Sequence, residues 1–276
     1  MEYKGFEGWY FKHEKNGEIL AFIVGRAESG AFVQMISQDV SRYYCVERFS
    51  NQNGIIRADN CIFTRSGCSV DLPGIKGTLL YGQLTPLSSD IMGPLKFFPM
   101  ECRHGIISMT HGIRGSVALE QKTICFDGGK GYIEGDSGTS FPESYLRLHC
   151  GSFRQELSAM LSVARIPLFD TAFTGCISAI LFEGREFKLA TYLGARILSR
   201  ESRHICIAQG SLLLEADISA SDEGHLLSSP EKGKMTGIVR ESCSTGIRLR
   251  LYEHGKPLFD EKSGNCSFEL LPGIFE

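Results

Sequence analysis

With 276 residues, 42% of them hydrophobic and 22% charged, the chain has the makeup of a soluble globular protein. A formal charge of −3 and the lack of any Lys/Arg cluster exclude the electrostatic footprint of a nucleic-acid binder or of a protein drawn to an acidic membrane surface. The length fits one large all-β domain or two of about 130–150 residues each.

No run approaches the ~20 apolar residues of a membrane span, and no basic then apolar leader opens the chain. A cytoplasmic protein with no integral membrane segment is therefore expected. The ten cysteines (Cys45, Cys61, Cys68, Cys102, Cys125, Cys150, Cys176, Cys206, Cys243 and Cys266) contain no C-x-x-C and no histidine at ligand spacing. They read as reduced, buried small hydrophobes, so neither a metal site nor a cofactor is expected.

The N-terminal half reads as strands and turns. Strands Gly5–His13 and Glu18–Arg26 flank an Asn16-Gly17 turn signal and form a hairpin. A third strand, Gly30–Val40, continues the meander; Tyr43–Phe49 follows, and Asn51–Gly54 breaks the chain before Ile55. Cys61–Thr64, Cys68–Leu72 and Thr78–Leu84 are strand-length pieces bounded by Gly, Ser or Pro. This rhythm of roughly ten residues between turns belongs to a barrel or sandwich, not to βαβ units. Thr85–Pro99 is a Pro/Gly/Ser-rich loop, and Met100–Val117 carries two histidines with interior glycines that suggest bulges.

Phe153–Val163 alone hints at a helix, with Phe153, Leu157, Met160 and Leu161 at helical spacing, although its second half equally suits a strand ending at Pro167. Beyond it the texture returns: a hairpin around Glu183-Gly184-Arg185, then Ala195–Ser199, Ile205–Ala208, Leu212–Ile218, Gly237–Glu241, Gly246–Tyr252 and a closing strand to Leu271. Ser219–Lys234 is the most loop-like segment. Two β domains are expected, residues 1–150 and 151–276.

The stretch Lys130–Cys150 mixes aromatics, carboxylates and glycines in strand-like sequence. Alternation places Tyr132, Glu134 and Asp136 on one face. Facing solvent they would be an ordinary surface; facing the inside of a barrel they would be a polar cluster in an apolar cavity, where the protonated acid is favoured. Phosphate loops, H-E-x-x-H and G-x-S-x-G are missing from the sequence, and Gly128-Gly129-Lys130-Gly131 lies between strands with no helix to follow.

FEGWYFKH at Phe6–His13, MECRHGIISMTHGIRGSV at Met100–Val117, GKGYIEGDSGTSFP at Gly129–Pro142 and ATYLGARI at Ala190–Ile197 together resemble the tocopherol cyclase-like proteins in order and spacing. The resemblance implies an all-β fold of two antiparallel lipocalin-like (calycin) barrels packed together. It also implies an enzyme that needs no cofactor and closes a chromanol ring by adding a phenolic oxygen across a prenyl double bond; more distant relatives hydrate carotenoid precursors or guide pericyclic closures. The plant-type KDWGTSFP differs here, Gly135 replacing its Lys and Ser137 its aromatic, and Arg147 stands where an aromatic is usual.

Closing such a ring by protonating an alkene needs a protonated acid, a dry aromatic lining and a group that orients the oxygen. Glu134 and Asp136 are the first candidates for the acid. His104, with Glu101 and Arg103 beside it, could orient or deprotonate the phenol; a bulge at Gly105 would bring it to the same side as His111. Trp9, followed by Tyr10, could stabilise a cation or plug a barrel end as core. Tyr132 shares the carboxylate face, and Phe141 and Tyr145 are expected at a pocket mouth. The expected partner is a hydrophobic, prenylated or polyene small molecule. The rivals are a carrier of an apolar ligand without chemistry, or a hydratase, isomerase or pericyclic cyclase in the same cavity. An exposed edge strand leaves a homodimer possible.

Overall fold

A computed structural model describes residues 3–168, 171–201, 203–219 and 224–274. These residues form almost entirely antiparallel strands in two sheets, the all-β class expected. No described helix is long and apolar enough to cross a membrane.

The first sheet begins with β1 (Phe6–Lys15), β2 (Glu18–Ala27), β3 (Gly30–Ser37) and β4 (Ser41–Val46). The short strands β5 (Phe49–Gln52), β6 (Ile55–Ala58), β7 (Cys61–Thr64), β8 (Gly67–Leu72) and β9 (Ile75–Tyr81) continue it. Long β10 (Cys102–Leu119), β11 (Lys122–Cys125) and β12 (Gly129–Gly138) complete it. Spatial order is β4-β3-β2-β1-β12-β10-β9-β8-β7-β6-β5, with β11 on β10. The end strands β4 and β5 are joined by only Glu47 and Arg48, and one core gathers Phe22 and Val33 with Phe63, Val70 and Leu79, so the sheet rolls into a barrel.

Turn chemistry sets this register. Asn16 and Gly17 both take positive φ, 49° and 89°, as a two-residue turn matched to strand twist requires. Asn53-Gly54 and Glu183-Gly184 repeat the device, the latter with Glu at the strained position.

The second sheet comprises β13 (Tyr145–Cys150), β14 (Leu157–Leu168), β15 (Thr171–Phe182), β16 (Arg185–Ala190), β17 (Arg196–Glu201), β18 (His204–Gln209), β19 (Leu212–Ile218), β20 (His225–Glu231), β21 (Lys234–Glu253) and β22 (Lys256–Leu271). Its order is β16-β15-β14-β13-β22-β21-β19-β18-β17, with β20 on β21. The Gln209 side chain stitches this barrel shut: its Oε1 accepts from the Ala190 N–H at 2.9 Å and its Nε2 donates to the Lys188 carbonyl at 3.0 Å.

Three expectations change. The hint of a helix at Phe153–Val163 resolves into β14, because Leu157, Ala159, Leu161 and Val163 all enter the second core, a period of two rather than 3.6. Within Ser219–Lys234, where a loop is expected, β20 pairs with an extended β21; residues 220–223 lie outside the described ones. The division also falls elsewhere than 150/151: one unit is Met1–Pro86, Cys102–Phe141 and Leu227–Ile238, the other Leu87–Glu101, Pro142–Leu226 and Val239–Glu276. Tyr145–Cys150 goes with the second unit because β13 pairs with β14 and β22. Segment 87–101 is held there through Ser88 to Glu186 and Ser89 to Lys188, whereas 227–238 is tied to the first unit through Ser228 to Gln34 and Gly233 to Glu28 and Thr139.

Candidate active site

The alternation along β12 has the consequence expected and one that was not. Ile133 points into the first barrel's core, so Tyr132, Glu134 and Asp136 lie on the opposite, outward face. That face is nevertheless closed to water at its centre, where Tyr132 is 1% and Glu134 2% exposed. The carboxylates therefore sit neither in the barrel lumen nor on a solvated surface.

A chain of polar groups runs across this face. The Tyr132 hydroxyl donates to Glu134 Oε2 at 2.5 Å, and His104 Nε2 lies 3.6 Å from the same oxygen. The other imidazole nitrogen, Nδ1, is 2.8 Å from Asp136 Oδ1, with Cys102 Sγ 3.9 Å away from that oxygen. His104 stands directly opposite Asp136 in the β10–β12 register, and Tyr10 directly opposite Glu134 in the β1–β12 register. One imidazole thus lies between two carboxyls, within hydrogen-bond distance of Asp136 and 3.6 Å from Glu134. Asp136 and His104 side chains remain 20% and 12% exposed, so that end of the group is the more open to water and Glu134 lies at the dry end.

Gly8 stands opposite Asp136, and a Cβ built on it would meet no atom nearer than the Val24 carbonyl at 4.0 Å. Its missing side chain leaves room beside the acid and imidazole. At the other end Lys12, opposite Tyr132, makes a buried 3.2 Å ion pair with Glu14. Neither Gly8 nor the Lys12–Glu14 pair stood out in the sequence, although both share the even-numbered positions of β1 with Tyr10.

The remaining candidates part company. Trp9 takes the odd face of β1, packing on the first core with its ring 3.0 Å from where a Gly135 Cβ would be. It is therefore on the other side of the sheet from Tyr10 and Glu134. His111 is not brought beside His104: Gly105 pairs regularly with Gly135, and the two irregularities at Ile106/Ser108 and Ser108/His111 cancel, so His111 keeps the opposite face that strict alternation gives it, in the lumen opposite Gly131. Phe141 packs edge-on against Phe6, ring centroids 5.5 Å apart. Tyr145 belongs to the second unit, where it and Arg147 both donate to Glu269 at 3.0 Å.

Inside the first barrel a second polar group has formed, which sequence reading missed because its members are far apart in the chain. His13 Nε2 is 2.7 Å from the Tyr81 hydroxyl, and the Tyr81 ring lies 4.6 Å from that of His111. Burial pushes His13 down to about 3 and His111 down to about 4, so both are neutral at physiological pH. Burial also raises Tyr81 well above the usual phenol range. These neutral groups suit packing and hydrogen bonding, whereas Tyr132, Glu134, His104 and Asp136 bring two carboxyls, a phenol and an imidazole together on one face.

No protein-family model and no curated protein matches the sequence. Solved structures do match the fold. CghA, solved with Sch210972, aligns over 97% of this chain and 88% of its own at a TM-score of 0.64 and 10% identity. A candidate AttH from Nitrosomonas europaea aligns over 97% and 92% at 0.56 and 12%. Kievitone hydratase from Nectria haematococca aligns over 98% and 89% at 0.53 and 11%. At such identities the likeness speaks for the fold alone.

Proposed function

We propose that the chain is a cofactor-independent enzyme of the tocopherol cyclase-like type that protonates an alkene of an apolar, prenylated or polyene small molecule and directs capture of the cation. The observation that carries this reading is the dry Glu134, hydrogen-bonded by Tyr132 and linked through His104 to the more exposed Asp136. A shared fold with a named hydratase supports it.

In the step proposed, Glu134 delivers its proton to the less substituted alkene carbon, leaving a tertiary cation. A phenolic oxygen of the same molecule then bonds to the cation, and its proton passes to the His104–Asp136 pair, for a net isomerisation; capture by water instead gives net hydration. His104 returns the proton to Glu134, so acid and base are regenerated. Tyr10, facing Glu134 across the strand pair, and Phe6 with Phe141 farther along would supply aromatic surface. Trp9, on the other face, is left as core.

Glu134→Gln and Asp136→Asn variants, assayed against prenylated phenols, test this. Retained ligand binding with turnover lost in Glu134→Gln supports it; unchanged turnover in both variants would overturn the assignment of the acid, and binding without turnover in the unsubstituted protein would leave only a carrier of apolar ligands.

A further inference from the structure

Outside this site, strands β18 and β19 bring together a donor set that neither strand shows alone. His204 lies opposite Asp217 and Cys206 opposite Glu215, all four on the face turned away from the second core, which takes Ile205, Ile207, Leu214 and Ala216. Donor atoms of His204, Cys206 and Glu215 all lie within 4.8 Å of one another. We infer that this pair of strands holds a divalent transition ion of the zinc class, bound by imidazole nitrogen, Cys206 thiolate and Glu215 carboxylate.

The surroundings fit that ligand. Asp217 Oδ1 is 2.7 Å from His204 Nδ1 and accepts its N–H, which leaves Nε2 as the nitrogen with a free lone pair. A carboxylate behind a histidine is the usual means of orienting a metal-binding imidazole. Arg250 on β21 fixes that carboxylate in turn, its Nη2 reaching Asp217 Oδ2 at 2.5 Å, while its Nε lies 3.3 Å from Glu215. Charge balances as well: two carboxylates, one guanidinium and one thiolate (−2 + 1 − 1) give −2 against a dication. A mixed N, S, O set selects a borderline ion such as zinc over the all-oxygen preference of calcium or magnesium. Cys206 is buried, and that burial raises its thiol, so an ion that binds there displaces the thiol proton. Three protein ligands leave a fourth position for water.

The test is calorimetric titration of zinc chloride into chelator-treated protein, with cobalt(II) as a spectroscopic probe. One saturable equivalent is expected, accompanied by a near-ultraviolet thiolate-to-cobalt absorption that Cys206→Ser removes. Asp217→Asn, which keeps all three ligands, is expected to weaken binding about 10- to 100-fold. Glu215→Gln serves as the second ligand variant, with circular dichroism checking the fold of each. Absence of a saturable equivalent, or the same affinity and absorption in Cys206→Ser and Glu215→Gln, would overturn the assignment.

Discussion

Tyr132 donates its phenolic proton to Glu134 at 2.5 Å, two residues along the same strand, with both side chains almost sealed from water. Under the function proposed, this carboxyl is the proton donor. Replacing Glu134 by Gln preserves shape and removes the transferable proton; turnover is expected to fall by about 10²–10⁴-fold with ligand affinity within a few-fold. Steady-state rates and a ligand titration on the same preparation separate the two effects.

His104 is expected to act through recycling rather than binding. His104→Gln removes the bridge between Asp136 and Glu134, so a single-turnover experiment should retain a larger share of wild-type rate than the steady state does. Equal losses in both regimes would assign His104 to the chemical step itself.

Gly8 is the place to block the site without touching its acid. A Cβ there meets nothing nearer than the Val24 carbonyl at 4.0 Å, so Gly8→Ala should leave the melting temperature nearly unchanged while ligand binding is weakened. Loss of thermal stability alongside binding would mean that the space beside Asp136 is not available to a ligand.

The lumen histidines set a pH limit on stability. Their folded values, about 3 and about 4, lie below the ordinary 6.5, so below pH 6.5 the unfolded chain takes up protons that the folded chain refuses. Stability is therefore unaffected above that pH and falls as pH drops from about 6.5 toward 4, by about 1–2 kcal/mol per histidine between pH 7 and 5. Urea unfolding of wild type and His111→Asn across this range checks it: the variant should show the shallower slope.

In the second barrel Arg147 and Glu269 form a buried pair, 7% and 8% exposed, that Tyr145 completes. Arg147→Met leaves a buried carboxylate without its cation and is expected to cost about 3–5 kcal/mol, whereas Arg147→Met with Glu269→Met should recover much of that loss. Chemical denaturation of the three proteins gives the comparison.

Much of the fold was written locally. Asn16-Gly17 and Asn53-Gly54 announce their hairpins because few other residue pairs tolerate two positive φ angles, and the β12 alternation groups Tyr132, Glu134 and Asp136 correctly. What alternation cannot tell is which face of a strand meets the core. Glu134 is buried on the outward face, and Trp9 and Tyr10, adjacent in sequence, are parted by the sheet. His104 and His111, seven positions apart, stay on opposite faces as strict alternation has it, because the two irregularities in β10 cancel where a single bulge would have united them. The His204, Cys206 and Glu215 group escaped for a related reason: its spacing exists only across a strand pair. At Leu157–Val163 helical and strand spacings overlap, and the pairing partner decided.

The most direct test of the account is isotopic. A prenylated phenol, chosen from any apolar compound that native mass spectrometry and extraction find with the protein or from a panel of such phenols, is incubated in D2O with wild type and with Glu134→Gln. Protonation of an alkene by Glu134 predicts a wild-type product carrying one non-exchangeable deuterium and no product from the variant. A product without deuterium, or equal conversion by both proteins, would contradict proton transfer from Glu134 as the basis of the activity.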